Sequence, residues 1–476
     1  MGEHDIVVVG AGTAGMPCAI EAALAGASVV VLEKADDVGG TLVLSAGQMS
    51  AAGARIGRER GIDDSPDRHY ADVMALGHGK GDPALVRLAV DQAPHTIDWL
   101  EELGFPFPRD VPVIYHGHEA YSVPRTYWGR ELGHSVLNVV RPRFLELVEA
   151  GRIELRLGTP LLDLVVEGGA VVGVRAEGPD GPVELRARSV VLATGGYAAS
   201  RALFDERHPG VHCLIGGHPT STGDGLLAAE RVGAAFRGAE HHLPTAGCVE
   251  TVVGTGRCEF WESLANLHPF YRKPREIHVN ARGERFLRED CWSPDERERA
   301  LVAQGDRMWI VFDAAAVDED DPLVLGWSHE MLVERAEAGE KAWVADDPRT
   351  LAVRAGIDPG GLERTVAAYN EAVRAGVDAL GREHLANELG TPPWFALLVE
   401  SGTVMGFGGV AVDGELRVTD ADGRPIAGLY AAGEILGAAA LMGDAYCGGM
   451  GVTPAIGFGR LLGRRLARVE LAAPAA

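Results

Sequence analysis

Ile6-Val7-Val8-Val9-Gly10-Ala11-Gly12-Thr13-Ala14-Gly15 decides the fold of this chain. An apolar, β-branched run enters a G-x-G-x-x-G turn. The helical run Met16 to Leu24 follows, and a second apolar run, Ser28 to Leu32, ends in Glu33. Strand, glycine turn, helix, strand and terminal acid is the order of a dinucleotide-binding βαβ unit. Gly10 makes the tight turn. Gly12 lets the backbone approach a pyrophosphate seated on the helix N-terminus, and Gly15 lets helix and strand pack closely. Glu33 can accept from a ribose 2′-hydroxyl, and its charge repels a 2′-phosphate. The unit predicts an adenine dinucleotide; a glycine-rich turn in an ordinary α/β protein is the competing reading.

Composition sets outer limits. A length of 476 residues corresponds to roughly three domain equivalents. Hydrophobic residues make up 46% and charged residues 24%, enough apolar side chains for a large core. The formal charge of −24, from 44 basic and 68 acidic residues, disfavours nucleic acid and anionic membrane as partners. The six cysteines show no C-x-x-C spacing and read as free thiols in a reducing compartment. The fingerprint strand begins within six residues of Met1, which leaves no room for a signal peptide. No apolar run reaches the ~18 residues of a membrane span. Together these predict a cytoplasmic protein.

Strand patterns fall at 6–9, 28–32, 153–157, 161–167, 170–175 and 188–192, and Glu167-Gly168-Gly169 joins two of them as a β-hairpin. Residues 241–300 hold Cys, Trp, His, Pro and clustered charge with little periodicity. Residues 328–380 read as helical, with Leu362, Val366, Tyr369 and Val373 at 3–4 spacing. From 403 the chain turns glycine-rich and strand-like. It ends in a helix from Pro454 to Val469, with Arg460, Arg464, Arg465 and Arg468 towards its C-terminal half. The run Asp318-Glu319-Asp320-Asp321 reads as a solvated loop and Leu471 to Ala476 as a loose tail. The pattern predicts a nucleotide-binding domain built from 1–240 and 403–476, with a second domain, 241–402, inserted between.

Further blocks punctuate the chain: Gly39-Gly40-Thr41 with Ser45-Ala46-Gly47, then Ala193-Thr194-Gly195-Gly196-Tyr197, then Thr222-Gly223-Asp224-Gly225. Val279-Asn280 precedes Gly283-Glu284-Arg285-Phe286. Leu362-x-x-Thr365-Val366-x-x-Tyr369-Asn370 and Gly376-x-Asp378 follow. Gly428-Leu429-Tyr430-Ala431-Ala432-Gly433-Glu434 and Phe458-Gly459-Arg460 close the series. In this order, nearly end to end, they resemble the flavoprotein subunit of the fumarate reductase and succinate dehydrogenase superfamily, which also holds the 3-ketosteroid dehydrogenases. The resemblance implies an α/β fold: a Rossmann-like FAD-binding domain, a parallel sheet with an added β-hairpin, carrying an inserted α+β capping domain. It implies FAD rather than NAD, held at Gly10, Gly12, Ala14, Gly15, Glu33, Lys34, Gly40, Thr41, Ser45, Gly47, Ala193, Thr194, Gly195, Asp224, Gly433, Glu434, Gly449 and Val452. The final helix would start near the flavin pyrimidine ring, where its N-terminal dipole stabilises negative charge. Succinate dehydrogenases carry flavin on a histidine near the second FAD loop. Leu42-Val43-Leu44 offers none, so the expectation is non-covalent FAD.

Departures from the family bear on substrate. Its dicarboxylate enzymes surround substrate with two histidines and two arginines. Here those positions fall on Leu243 (with His241 and His242 out of register), Ser293, the 402–404 segment and Tyr446. A di- or tricarboxylate needs such bidentate cationic partners. Leu441-Met442-Gly443-x-x-Tyr446-x-Gly448-Gly449 instead resembles the ketosteroid dehydrogenase segment in which a tyrosine hydroxyl and a glycine N–H grip a ketone oxygen, with one residue fewer before Pro454. The resemblance gives Tyr446 and Gly449 that role, and Tyr446 packing or hydrogen-bonding to flavin is the alternative. Polarising the carbonyl acidifies its α-hydrogen; a base removes that proton while hydride leaves the β-carbon for flavin N5. Cys291-Trp292-Ser293 offers no base. Tyr115, His116, His118, Tyr121 and Tyr127 cluster around Arg125, and Tyr121 or His118 is the expected proton acceptor, with Tyr115 in the same set. A surface loop of polar aromatics is the competing reading. His116-x-His118 and His241-His242 lack a third ligand at metal spacing, and no metal is expected. Cys447 reads as a small residue beside the flavin.

These readings converge on an FAD-dependent dehydrogenase that introduces a C=C bond beside the ketone of a bulky, mostly uncharged, ketosteroid-like or natural-product-like compound. Electrons would pass to a separate acceptor, since no C-x-x-C-H is present. An ene-reductase of an α,β-unsaturated carbonyl compound and a non-catalytic flavin electron-transfer subunit are the alternatives.

Overall fold

The computed structural model describes residues 4–317 and 320–472; residues 318–319 of the acidic run and 473–476 of the expected tail lie outside them. The fingerprint forms the strand His4–Val9 and the helix Gly15–Leu24. Its strand is central in an eight-stranded sheet ordered Arg417–Thr419, Pro425–Ala431, Gly181–Leu192, His4–Val9, Val29–Leu32, Ile153–Arg156. The last five of these pair in parallel. Ile6, Val7, Val8 and Val9 are all buried, as are Val29 to Leu32, because helices cover both faces of a parallel sheet. The helix Gly15–Leu24 packs against the terminal helix Val452–Ala472.

Register fixes where a ligand can sit. Val9 lies opposite both Leu32 and Leu192, and Leu192 opposite Ala431. The chain therefore leaves these strands level at Gly10, Glu33, Ala193 and Ala432. Ligands of open α/β sheets bind at such carboxyl ends.

Leu161–Glu167 and Ala170–Gly178 form the expected hairpin, and the first half of Gly181–Leu192 extends it as a third antiparallel strand. Only 188–192 reads as strand from the sequence. The earlier half carries Glu184 and Arg186, which pair with each other and with Arg175 and Glu167 on the open face.

A second, six-stranded sheet centres on Trp394–Thr403, flanked by Thr245–Cys248 and Arg307–Asp313, with Ile277–Val279 outside the latter. Every residue of Trp394–Thr403 is buried. Alternation along Arg307–Asp313 sends Ile310 and Phe312 into one apolar cluster and Val311 into another, so both faces are covered. Leu214–Ile215 joins this sheet parallel to Gly402–Thr403. The helical expectation over 328–380 resolves into His329–Ala338, Pro348–Ala355 and Pro359–Ala375, with the strand Ala342–Ala345 between the first two. Gly339 at φ 74° ends the first helix, and Asp347-Pro348 and Asp358-Pro359 start the others as caps with proline at N1. The short strand is a tertiary product: it exists by pairing with Trp394–Thr403. Among the described residues no helix is long and apolar enough to cross a membrane.

Candidate active site

A cavity of about 380 Å³ opens at the carboxyl ends of the parallel strands and runs towards the second sheet. Gly10, Gly12, Ala14, Glu33, Lys34, Gly40, Thr41, Ser45, Ala193, Thr194, Gly195, Asp224, Gly433, Glu434 and Val452 all line it. Gly10 holds φ +101°, and a Cβ there would sit 2.4 Å from the Ala193 carbonyl oxygen. At Gly12 the nearest atom to such a Cβ is 3.8 Å away, which leaves bare backbone open to the cavity. Glu33 accepts from the Ala11 N–H at 2.8 Å and the Ala35 N–H at 2.9 Å, which fixes its carboxylate beside the turn. Lys34 is paired to Asp224 at 2.7 Å and donates to Thr222.

Gly15, Gly47 and Gly449 stand behind this lining. A Cβ would meet the Gly10 carbonyl oxygen at 1.8 Å, the Leu132 carbonyl carbon at 2.5 Å and the Ser50 nitrogen at 2.3 Å, respectively. Each shapes the cradle through close backbone approach on the side where a Cβ would stand.

The cradle fits FAD. Thr194 Oγ1 and Gln48 Oε1 are buried, line the cavity and have no protein partner. Buried polar atoms are nearly always hydrogen-bonded, so two orphaned atoms on residues of one cavity wall leave bonds that a ligand's polar groups would complete. Glu434 is raised to about 7 by burial, against a hydrogen bond from the Gly406 N–H, and can donate as well as accept. The terminal helix begins at Val452, which turns its N–H-rich end to the same space.

Beyond the cradle the cavity becomes a chamber walled by Gln48, His118, Leu243 to Thr245, Phe260, Pro294, Glu298, the 402–405 segment and Tyr446. Tyr446 and His118 face each other with ring centroids 4.4 Å apart. Burial, with Tyr115, Cys447 and Glu298 adding, pushes Tyr446 up to about 12. Burial, with His268 and Arg297 adding, pushes His118 down to about 3, so its imidazole is neutral near pH 7. Tyr115 packs behind His118 at 5.5 Å, and its hydroxyl hydrogen-bonds that of Tyr271.

Tyr121 lies under the loop. Its hydroxyl donates to the Gly448 carbonyl at 2.6 Å, and its ring stands beside Arg125 and His69. Burial lifts its pKa well above the ordinary value. Arg125, itself fully buried, is forked on Asp64 at 2.9 Å and paired to Asp72 at 2.8 Å. The structure thus brings Tyr446 and His118 together in the chamber, and puts Tyr115 and Tyr121 outside its lining.

Among the described residues no arginine lines the cavity, and its one lysine, Lys34, is paired to Asp224. Ser293 serves as a helix N-cap: it accepts from the Glu296 N–H at 3.0 Å and donates to Glu119. Arg297 is outside the lining and donates to the Leu267 carbonyl at 3.0 Å, while its charge acts on His118 and Glu298. His242 packs on His208, 4.8 Å between ring centroids.

Glu298 is the chamber residue that the sequence reading passes over. Burial pushes it up to about 8; Asp295 and Glu119 add to the rise, while Arg297 and the Ala246 backbone N–H oppose it. The signal available for it was local. Ser293-Pro294-Asp295-Glu296 is an N-cap, proline and capping-box start, which places Pro294 and Glu298 on one helix face. Gln48 and His218 also line the cavity without a sequence signal.

A cradle at the carboxyl ends of a parallel sheet, opening into a chamber closed by a second sheet, defines an adenine-dinucleotide flavoprotein. The chain belongs to the FAD binding domain family, whose model matches residues 5–451. It is an FAD-dependent oxidoreductase of a family that acts on CH–CH bonds. It is 30% identical to a fumarate reductase (cytochrome) of Shewanella frigidimarina, over 98% of this chain and 77% of that protein. It is 26% identical to the 3-oxosteroid 1-dehydrogenase of Mycobacterium tuberculosis, over 98% of each. A 3-ketosteroid Δ1-dehydrogenase structure from Sterolibacterium denitrificans superposes with a TM-score of 0.80 at 22% identity, covering 98% of this chain and all of that one, which shows the shared fold.

Proposed function

We propose that the protein α,β-dehydrogenates a bulky, mostly uncharged ketone whose carbonyl oxygen is held by Tyr446. The observation that carries this is the chamber itself: a protonated tyrosine set against a neutral histidine, with no arginine in the lining. A dicarboxylate would lose its water there with no arginine in the lining to pair with it. A ketone needs only a donor. Held at about 12, the Tyr446 hydroxyl stays protonated near neutrality and donates to the carbonyl oxygen. That bond strengthens as negative charge grows on oxygen, which acidifies the α-hydrogen. Gly449, three residues on, is the second proposed donor through its N–H. Bound FAD supplies the two-electron acceptor for the hydrogen that leaves the β-carbon.

Apolarity follows from the chamber wall, where Leu243, Pro244, Phe260, Val404 and Met405 stand, and further aromatic side chains lie outside it. Trp261, Phe270 and Trp292 are 38%, 45% and 51% exposed. Phe270 packs on Tyr115, and Trp261 packs on the chamber residue Phe260. In this reading 1–240 with 403–476 form the FAD-binding body, 241–402 form the cap, and a separate small-molecule acceptor reoxidises the flavin. With all six cysteines buried as free thiols, a reducing cytoplasmic setting fits.

The relation to a 3-oxosteroid dehydrogenase supports the carbonyl class. One observation favours the reverse reaction, reduction of an enone: the Glu298 carboxyl is held largely protonated near neutrality, ready to give a proton. Mass spectrometry of 3-oxosteroids and cyclic ketones incubated with enzyme and an artificial electron acceptor tests the proposal. Loss of two hydrogens supports it. Turnover confined to succinate would overturn it.

A further inference from the structure

Proton transfer at the carbon beside the carbonyl needs a group that can both take and give a proton inside the chamber. Tyr446, held up by burial, and His118, held down by it, are each far from that condition. Among the described residues four carboxyls line the cavity: Glu33, Asp224, Glu434 and Glu298. Glu33 is taken by two backbone N–H groups, Asp224 by Lys34 and Thr222, and Glu434 lies in the cradle, where it accepts from Gly406; Glu298, which accepts from the Ala246 N–H, stands in the chamber wall with Tyr446 and His118. Glu298 stands on the helix Pro294–Ala303, which packs on Thr245–Cys248; Pro294 and Thr245 line the chamber with it.

That helix is also tied to the Tyr446 loop. Arg299, the next residue, donates to the Asp444 carbonyl at 2.9 Å, two residues before Tyr446. Asp295 on the same helix pairs with Arg299 at 3.0 Å and with His78 at 3.6 Å, and His78 pairs with Asp444 at 2.7 Å. The two sides of the chamber are therefore held in a fixed relation.

We infer that Glu298 is the acid–base residue of the reaction, exchanging a proton with the α-carbon of the carbonyl substrate. This rests on the carbonyl reading above. In dehydrogenation the α C–H bond breaks and its proton forms an O–H bond on the Glu298 carboxylate. The electron pair left behind becomes the new C=C bond. The β-hydrogen departs with its two electrons to oxidised flavin, the oxidant the family supplies. In reduction the proton moves from Glu298 to the α-carbon and every other change reverses. The charged and titratable groups facing Glu298 are Arg297 and Asp295 on its own helix, Glu119 and His118 from the 115–128 segment, Tyr446, and Cys248 on the strand beneath. Its ionisation near pH 8 gives the two directions opposite pH profiles: dehydrogenation climbs through that limb and enone reduction falls through it.

The test is E298Q, with E298D as the variant that preserves the carboxyl, both as FAD-loaded enzyme. Probes are 4-androstene-3,17-dione and cyclohexanone for bleaching of the flavin, and cyclohex-2-enone for reoxidation after dithionite. E298Q is expected to lose at least ~100-fold in rate. Its FAD content and the ketone-induced shift of the flavin spectrum should persist. It should also lose a protonated-carboxyl infrared band that titrates near pH 8 in the parent. E298D should keep part of the rate and a displaced limb, and it decides the matter if E298Q does not hold FAD. An E298Q enzyme with parental rate, or with the limb near pH 8 intact, overturns the assignment and leaves the carbonyl reading standing. A parent enzyme inert to ketones and enones alike removes both.

Discussion

Tyr446 decides the substrate class. Tyr446→Phe should keep FAD content and cut ketone turnover ~100- to 1,000-fold, the usual loss for one donor to a developing oxyanion. Steady-state rates beside flavin absorbance check it, and undiminished turnover would end the oxyanion role. Tyr121 provides the contrast. Because its hydroxyl holds the Gly448 carbonyl, Tyr121→Phe should raise KM and lower kcat only several-fold; a ~100-fold loss with the pH profile altered would make Tyr121 the base instead. What could be read at this scale was local. Gly10, Gly12 and Glu33 act within one βαβ unit, so their spacing alone describes their surroundings. Tyr121 meets a partner 327 positions away, and Glu298, whose helix position is readable locally, owes its burial to packing on a strand from elsewhere in the chain. Nothing in their own neighbourhoods encodes that.

Among the elements, those with a strong intrinsic pattern were legible and those made by a partner were not. The hairpin at 161–178 and the terminal helix carry their signals in their own residues. Ala342–Ala345 has only four residues, too few for a period, and becomes a strand by pairing with Trp394–Thr403. The terminal helix is secured by Arg460, which bonds Glu21 at 2.6 Å and the His95 carbonyl at 2.7 Å and lies over the Trp99 ring at 4.5 Å. Arg460→Ala should cost about 1–3 kcal/mol, the range for a mostly buried charged hydrogen bond left without its partner. Urea denaturation checks this, with Arg468→Ala, far along the helix from Glu21, expected within about 0.5 kcal/mol of the parent.

For the whole molecule, the half-buried acids Glu434 and Glu298 make stability fall as pH rises above neutrality. Both have pKa values raised by burial, to about 7 and about 8. A carboxyl raised in this way contributes fully below its unfolded value and loses that contribution as pH rises through its folded one. The buried histidines His69, His118, His242 and His268, all held neutral, act in the opposite direction up to about pH 6.5, so protein stripped of FAD should show the decline in melting temperature from about pH 7 to pH 8, and E298Q should flatten it. The overall plan was open to reading because its two sheets, Leu214–Ile215 aside, sit in separate runs of sequence. The chamber between them was open only by subtraction, through the missing cations at Leu243, Ser293 and Tyr446. The most direct test of the central claim is anaerobic bleaching of the bound flavin by saturated cyclic ketones, 3-oxosteroids included, against succinate. Bleaching by a ketone and not by succinate is the result the arginine-free chamber requires. Bleaching by succinate would show that the chamber holds a dicarboxylate without the cations such a substrate demands, and would contradict the account.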